Sequence, residues 1–334
     1  MTGNGIAKPG KISGSSLRWG GAGTALLVSL CANQNSWASN EADEARKEVA
    51  RQVARQISAT VNKGVKDALS EGEDRSGGGS GDPMSRRGIN TYASPTFTGL
   101  EVVDAGVDTE IYQMVAGGDT RRGNFIFGAS GSYSRADVNG PSFAGGLLDF
   151  GINTYSITPY ATYLVNRNLF VTAIAGYNRT QIEQSQNDGN GLFTDISIGY
   201  LQPIGNYVMT GKLGHRFSYF AAENSQGTAS DIANAGGVAR DDDNWENTYY
   251  ISGDISYKWG NFTPRVEGRW EHLDPEDTPS GADDIDSAFL TAGIDYDVQD
   301  AVTVGLTYTT ELTGRAEDHD TYYNQAGANV KVRF

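Results

Sequence analysis

The chain has little cysteine, proline or histidine. Its 334 residues include 1 Cys, 9 Pro and 3 His. A single cysteine excludes a framework of disulfides within the chain, and a mean hydropathy of −0.44 excludes a bundle of membrane-spanning helices. By contrast, the 43 Gly and 17 Tyr suit many short strands joined by turns. The length allows one large domain.

Positive charge is scarce as well. The chain has 26 basic and 41 acidic residues, which gives a formal net charge of −15. A nucleic acid is bound through a concentrated positive surface that meets its phosphates. We therefore expect no nucleic-acid partner.

Residues 1–38 have the features of a cleaved secretory signal peptide. Three basic residues precede an apolar run over 22–32, and Ser36 and Ala38 place small side chains at the two positions that signal peptidase reads. The run is too short to cross a membrane as a helix. Cys31 lies inside this segment, so cleavage would leave a mature chain without cysteine.

Residues 39–70 form a predicted amphipathic helix. Apolar side chains recur there at every fourth position, and basic side chains occupy the other faces. The apolar positions are Val49, Val53, Ile57, Val61, Val65 and Leu69. About 30 residues reach about 45 Å, enough to thread a barrel. The helix could also oligomerise or lie on a membrane surface. The Gly-rich linker over 71–87 argues against a plug, which gains from a direct junction to the first strand.

Residues 88–334 read as strands almost without interruption. We place twelve of them, at 90–103, 108–117, 123–137, 150–165, 168–183, 191–202, 206–221, 246–259, 261–273, 285–298, 301–312 and 321–334. Tight turns are predicted at 166–168, 203–205, 260–261 and 299–300, and long polar loops at 139–149, 185–191, 223–245, 274–284 and 313–320. From the third strand onward turns and loops alternate, which is typical of an outer-membrane barrel. The connection near 104–107 is short where a long one is expected.

The two faces of the later strands differ in the same way. In the strand at 261–273, charged side chains alternate with apolar ones, so one face meets water and the other meets lipid. The faces of the third to fifth strands are not clear from the sequence. The charges assigned to the lumen are Arg265, Glu267, Arg269, Glu271, Lys331, Arg333, Lys212, Arg216, Asp254 and Asp295. Aromatic residues gather at the strand ends, which predicts two interfacial girdles.

The last strand ends on an aromatic carboxylate. Val330, Val332 and Phe334 share one face, and Tyr322 begins the strand. We interpret these four residues as an assembly signal that a barrel assembly machine reads. Taken together, the patterns predict an all-β fold, a closed antiparallel transmembrane β-barrel of about 12 strands preceded by an amphipathic N-terminal helix.

Several motifs are similar to those of the autotransporter β-domain family. They are Gly-Gly-Asp-Thr at 117–120, the Gly-Ser-rich run at 127–134, Ile-Thr-Pro-Tyr at 157–160 and the terminal strand at 330–334. The resemblance covers residues 88–334. It implies a twelve-stranded barrel in the bacterial outer membrane, a helix through its pore and a secreted passenger before it. Only 39–87 lie between the signal and the barrel, so we expect no sizeable passenger.

The functional expectation is a membrane-embedded barrel, translocator-like or with a surface structural role. The alternatives are a small porin for polar solutes and a barrel-type surface protease. The expected partners are outer-membrane lipid and lipopolysaccharide, the barrel assembly machinery and periplasmic chaperones.

No catalytic site, cofactor or metal is expected. His215 alternates with outward-facing residues, while His272 and His319 lie near carboxylates and supply the protease alternative. The acidic loops, including 241–243, lack the spacing of a calcium-binding loop. Solvated loop residues are the simpler interpretation of both features.

The assembly-signal hypothesis gives a direct prediction. Phe334→Ser should lower the yield of inserted barrel, because a polar side chain replaces the terminal apolar group that the machinery is expected to read. The measurement is the amount of heat-modifiable barrel in outer-membrane fractions. Insertion equal to that of the natural chain would leave Phe334 as an ordinary lipid-facing residue.

Overall fold

The computed structural model describes residues 37–74, 89–102, 107–141, 147–183, 188–222, 244–276, 285–299, 301–313 and 321–334. Most of the expected signal peptide and linker lies outside these ranges. The elements are one helix, α1 Trp37–Asp74, and the strands β1 Ile89–Val102, β2 Val107–Arg122, β3 Phe125–Pro141, β4 Leu147–Leu164, β5 Leu169–Ile182, β6 Asp188–Ile204, β7 Tyr207–Ala222, β8 Asn244–Tyr257, β9 Phe262–Glu276, β10 Ile285–Gln299, β11 Val302–Thr313 and β12 Thr321–Arg333.

The twelve strands form a closed antiparallel barrel in which each strand pairs with its neighbours in sequence. Pairing of β1 with β12 closes it, with Ala93 opposite Val330. Beyond this ladder, the Phe334 backbone N–H donates to the Ile89 carbonyl at 2.9 Å. The predicted fold is confirmed. Closure leaves no open strand edge, which is the condition for crossing hydrocarbon with strands.

The turns differ slightly from the prediction. β2 continues to Arg122 and turns at Gly123, whereas the sequence suggested an end at 117. Gly117 and Gly118 pair within the ladder, with Tyr92 and Thr91. Likewise β6 continues through Ile204, and the turn follows at Gly205. Both turn glycines have a positive φ, 58° and 61°, which other residues rarely adopt.

Tight turns and longer connections lie at opposite ends of the barrel. The connections after β2, β4, β6, β8 and β10 are tight, and the end of β12 lies at the same end. We call this the turn end and the other the loop end. β3 and β4 extend to Pro141 and Leu147, so that loop is shorter than predicted. By the rule for outer-membrane barrels, the turn end faces the periplasm and the loop end faces outward.

The outer surface carries a broad apolar band bordered by aromatic rings. Leu213, Ile251 and Leu306 each point outward with more than half of the side chain exposed. At the turn end the rings of Phe262 and Tyr296 lie 4.8 Å apart between centroids. Further aromatic pairs lie at the loop end. Such rings are suited to the membrane interface. Within the described ranges, no helix combines the length and the apolar character needed to cross a bilayer.

The interior of the barrel has two different halves. The inward side chains of β2–β6 form a buried apolar cluster with uncharged polar side chains, mostly Ser and Thr, among them. The apolar members include Ile111, Val115, Ile126, Ile152, Leu164, Phe170, Ile174, Phe193 and Leu201. Those of β7–β12 include the charged residues assigned above. The same early strands also present apolar side chains to lipid. Their hydrophobicity therefore does not alternate clearly, which explains why the sequence did not reveal their faces.

On the inner face of the barrel wall, aromatic rings of one strand cover glycines of the neighbouring strand. Tyr160 of β4 pairs with Gly128 of β3, and Tyr250 of β8 pairs with Gly214 of β7. In both places the ring occupies the space that a Cβ would need. Glycine therefore lets the ring lie flat on the barrel wall, which leaves room for a helix in the lumen.

This packing predicts a position-specific effect of adding side-chain volume. Gly128→Val should destabilise the barrel by about 1–3 kcal/mol, because the new side chain overlaps the Tyr160 ring. Gly268→Val is the matched control, since a Cβ at this outward position meets nothing within 4 Å. The measurement is the temperature at which each variant loses its folded mobility on gels. Equal midpoints for the two variants would contradict the packing argument.

Candidate functional site

The lumen is occupied by α1, which runs from the loop end toward the turn end. Arg51 in its first half contacts Glu246, the third residue of β8 at the loop end. Asp67 in its second half lies 3.6 Å from Lys331 near the end of β12. The Gly-rich linker argued against a plug, but contacts along the helix, rather than the length of the tether, hold it in place.

One face of α1 packs against the apolar half of the lumen. Val49, Val53, Ile57, Val61 and Val65 are each at most 1% exposed. They share one face because they recur at every fourth residue, and they join a single apolar cluster with the inward side chains of β2–β6. Burial of such side chains contributes about 1.5–3 kcal/mol each relative to exposure. This face supplies the main attraction between helix and barrel.

The opposite face of α1 forms ion pairs with the charged half of the lumen. Arg55 meets Glu271 at 2.8 Å and Lys63 meets Asp295 at 2.7 Å. Three further pairs join Arg51 to Glu246, Lys66 to Asp254 and Asp67 to Lys331. Buried ion pairs add little net stability, but a misplaced charge costs several kcal/mol. They therefore fix the rotation of the helix about its axis.

The structure explains why Lys66 is needed at its position. Asp254 on β8 and Glu267 on β9 are directly opposite each other in the ladder. Two like charges at such a pair destabilise a sheet. Lys66 of α1 donates to Asp254, so the helix offsets repulsion that is built into the wall.

The remaining lumen charges form a second network beside the helix. Arg269 pairs with Glu271 at 2.6 Å and lies 4.0 Å from the centroid of the Tyr250 ring. Tyr250 donates to Asp195 at 2.8 Å, and Arg216 lies 3.5 Å from the same carboxylate. These contacts brace the wall behind the helix.

Three further charges that the sequence assigns to the lumen also point inward but are not part of this network. Lys212 of β7 faces Ser252 across the ladder, and Arg265 of β9 faces Ser256. Arg333 donates to Thr303 at 3.1 Å.

Sequence reasoning missed three members of the site. Glu246 and Tyr250 have the same parity as Asp254 in β8, so the alternation already contained the signal for both. Asp195 is completely buried on β6, where its inward neighbours Phe193 and Ser197 carry no charge that would mark this face as part of a charged lumen.

A separate polar cluster faces α1 near the turn end of β1–β4. Asp119 accepts from Asn90 at 2.8 Å and from Tyr160 at 3.1 Å, and Tyr92 donates to Tyr160 at 3.3 Å. A Cβ added to Gly64 of α1 would lie 3.8 Å from Asp119. The helix therefore passes close to this carboxylate at Gly64.

The residues of the proposed assembly signal lie on the outer surface. Tyr322, Val330 and Phe334 are 55%, 42% and 80% exposed. Val332 shares their face because it alternates with Lys331 and Arg333. The position suits contact with lipid or with a protein that approaches β12 from the membrane.

Neither His215 nor His272 faces the lumen. His215 bonds to Asn247 at 2.9 Å and His272 to Asp286 at 3.1 Å. Glu271 and His272 are consecutive in β9, so they point to opposite faces and do not act together. His319 and most of the acidic loops lie outside the described residues. Where the structure describes the chain, no three His, Cys, Asp or Glu side chains form a metal-binding group.

Ion pairs also tie strands together at the loop end. Arg135 lies 2.6 Å from Glu183, which follows β5, and Arg179 lies 2.8 Å from Asp188. Hydrogen bonds from Arg135 and Asn153 hold the pKa of Glu183 below its usual range. This rim is separate from the charges inside the lumen.

Two cavities lie between α1 and the charged half of the wall. One has a volume of about 130 Å³, and the other, at the turn end, has a volume of about 840 Å³. Both are large enough to hold water. The helix therefore fills the apolar half of the lumen and leaves polar space in the other half.

Comparisons with solved structures show the same architecture in autotransporters. The β-domain of the Bordetella autotransporter BrkA aligns with a TM-score of 0.58 at 11% identity, over 75% of this chain and all of that one. The transport unit of AIDA-I from Escherichia coli gives 0.51 at 14% identity, over 81% and 97%. An outer membrane channel from Pseudomonas putida F1 also gives 0.51, at 10% identity, over 74% and 95%. At these identities the likeness shows the fold alone.

The sequence itself identifies the family. No curated protein matches it significantly. The model of the autotransporter β-domain matches residues 98–315, which is well over half of the chain. The translocator barrels of this family lie in the outer membrane and are not enzymes themselves. The chain therefore belongs to the autotransporter β-domain family and is a translocator-domain barrel of the outer membrane.

Proposed function

We propose that the barrel carries the N-terminal end of its own chain to the cell surface and is then closed by α1. The polarity of α1 is the observation that supports this. Its first half contacts Glu246 at the loop end, and its second half contacts Lys331 at the turn end. Because long loops face outward in such barrels, the chain before α1 would leave the lumen at the cell surface.

The proposal includes the division of the chain made from its sequence. Residues 1–38 act as a signal peptide, 39–70 as the retained helix, 71–87 as a tether and 88–334 as the barrel. The lipid-facing residues of β12, among them Phe334, would be read by the assembly machinery after periplasmic chaperones deliver the chain. The apolar band then meets outer-membrane lipid and lipopolysaccharide.

Cysteine labelling tests the direction of α1. Cys31 is the one cysteine of the chain, so Cys31→Ser gives a background without thiols. In that background Ser39→Cys should react with a membrane-impermeant maleimide on intact cells, because Ser39 lies in the first turn of α1, at the loop end. Asn206→Cys, in the turn between β6 and β7, should react only after the outer membrane is opened. The reverse pattern would contradict the proposed direction.

A polar substitution on the buried face tests closure by α1. Ile57→Asn should loosen the helix by on the order of 3 kcal/mol, since it removes apolar contacts and buries an amide without partners. Conductance in planar bilayers should rise toward that of a variant lacking residues 40–69. Ala59→Asn is the control, because Ala59 is exposed to the small cavity. If removal of 40–69 leaves the conductance unchanged, α1 does not close the pore.

A channel for small polar solutes is the second candidate. The polar cavities beside α1 favour it, as does the shared fold with the Pseudomonas putida channel. Steady open channels formed by the full-length protein would support it over a closed barrel. The surface-protease alternative has less support, because His272 and Glu271 lie on opposite faces of β9.

A further inference from the structure

The two cavities beside α1 adjoin each other. Lys63, Asp67 and Arg265 line both of them. The larger cavity is also lined by the turn residues Asn206 and Asn261. It therefore lies at the turn end, where solutes of the periplasm can reach it, and the smaller cavity lies deeper along the helix.

The side chains that line the two cavities carry a net positive charge, whereas the protein as a whole is negative. Among the described residues, the two linings together contain eight basic and five acidic side chains. The whole chain has a net charge of −15. Opposite charge concentrated in a narrow space between low-dielectric walls raises the local concentration of anions.

Four of the five acidic residues of the lining are already engaged, and the fifth, Glu267, forms no ion pair with Arg265 among the described residues and lies opposite Asp254 in the ladder. Asp295 accepts from Lys63 at 2.7 Å and from Asn329 at 3.4 Å. Asp297 accepts from Thr303 at 2.7 Å. Asp119 is held by Asn90 and Tyr160, and Asp67 by Lys331. These contacts leave few carboxylate oxygens to neutralise another cation.

Arg265 is the cation that remains. Within the described part of the chain it forms no hydrogen bond or ion pair, and its Nε is buried without a hydrogen-bond partner. A Cβ at Gly293 would lie 3.0 Å from this Nε, so the glycine makes room for the guanidinium against β10. Guanidinium groups favour planar, bidentate contact with carboxylate and phosphate. Buried N–H donors are normally hydrogen-bonded, so we expect an acceptor at the Nε of Arg265.

We infer that the two cavities form one binding site for a small oxyanion, phosphate or carboxylate, centred on Arg265. Lys63 lies beside the site as a second positive charge, and the hydroxyl of Thr263 in the lining of the larger cavity can donate to an oxyanion oxygen. The ligand enters from the periplasmic turn end. The site does not depend on export of the segment before α1, so the labelling test above can fail without affecting it.

Titration calorimetry of the full chain in detergent micelles tests the site, with inorganic phosphate and acetate as separate probes. Saturable binding of either probe is expected, and Arg265→Gln should weaken it at least tenfold. Arg265→Lys retains the charge but loses the planar bidentate donor, so it should recover only part of the affinity that Arg265→Gln loses. The control is Arg135→Gln, which removes an arginine of the loop-end rim that is already paired with Glu183 and should change nothing.

The two probes distinguish the sources of the oxyanion. Binding of phosphate alone assigns the site to phosphate groups, binding of acetate alone assigns it to carboxylates, and binding of both assigns it to oxyanions in general. Absence of saturable heat with both, or equal affinity of the natural chain and Arg265→Gln, would overturn the inference. Should Arg265→Gln fail to form a heat-modifiable barrel, Gly293→Ala replaces it. Its Cβ crowds the guanidinium without removing charge and should weaken binding at least threefold; unchanged affinity would equally overturn the site.

Discussion

A strand edge cannot lie open in hydrocarbon, because its backbone N–H and C=O groups would lack partners. Pairing of β1 with β12 removes the last such edge. The backbone hydrogen bonds between Ile89 and Phe334 complete the closure of the barrel. Closure also determines the lumen. Twelve strands enclose a space wide enough for one helix, provided that rings such as Tyr160 and Tyr250 lie flat over glycines on the wall.

The lumen binds α1 through two unlike halves. The apolar half provides attraction without specifying direction, since apolar contacts are not directional. The charged half specifies direction but adds little attraction. A buried ion pair contributes little net energy, but every arrangement that leaves a charge unpaired is strongly disfavoured. Lys66 shows the principle, since it meets Asp254 where the wall itself sets Asp254 against Glu267. Together the halves select one rotation and one direction of the helix.

The same division leaves space beside the helix. The apolar face of α1 packs closely, whereas the long side chains of its basic face bridge a gap to β8–β12, and the cavities lie in that gap. A translocator has to hold a segment firmly after export without having bound it too tightly during passage. A lumen that packs closely against one side of a helix and leaves polar cavities with room for water on the other side is compatible with both requirements.

The sequence by itself determined the class of protein. Alternating faces in β8–β12, the sequence of turns and loops, and the terminal Phe334 together specified a closed barrel with a charged lumen, because a period of two fixes which side chains share a face. The helix was also evident, and its every-fourth-residue apolar positions are those that the barrel buries. Glu246 could have been found by the same alternation.

Only the tertiary structure decided where that helix lies and what it meets. β2–β6 carry large apolar side chains on both faces, and serine and threonine are mixed among those of the inner face, so their sequence does not distinguish the side that packs on α1 from the side that meets lipid. Partners such as Lys63 and Asp295 are 232 residues apart, and no local pattern relates them. Arg265 is one of the ten charges that the sequence assigns to the lumen, and only the structure shows that its Nε is buried without a hydrogen-bond partner.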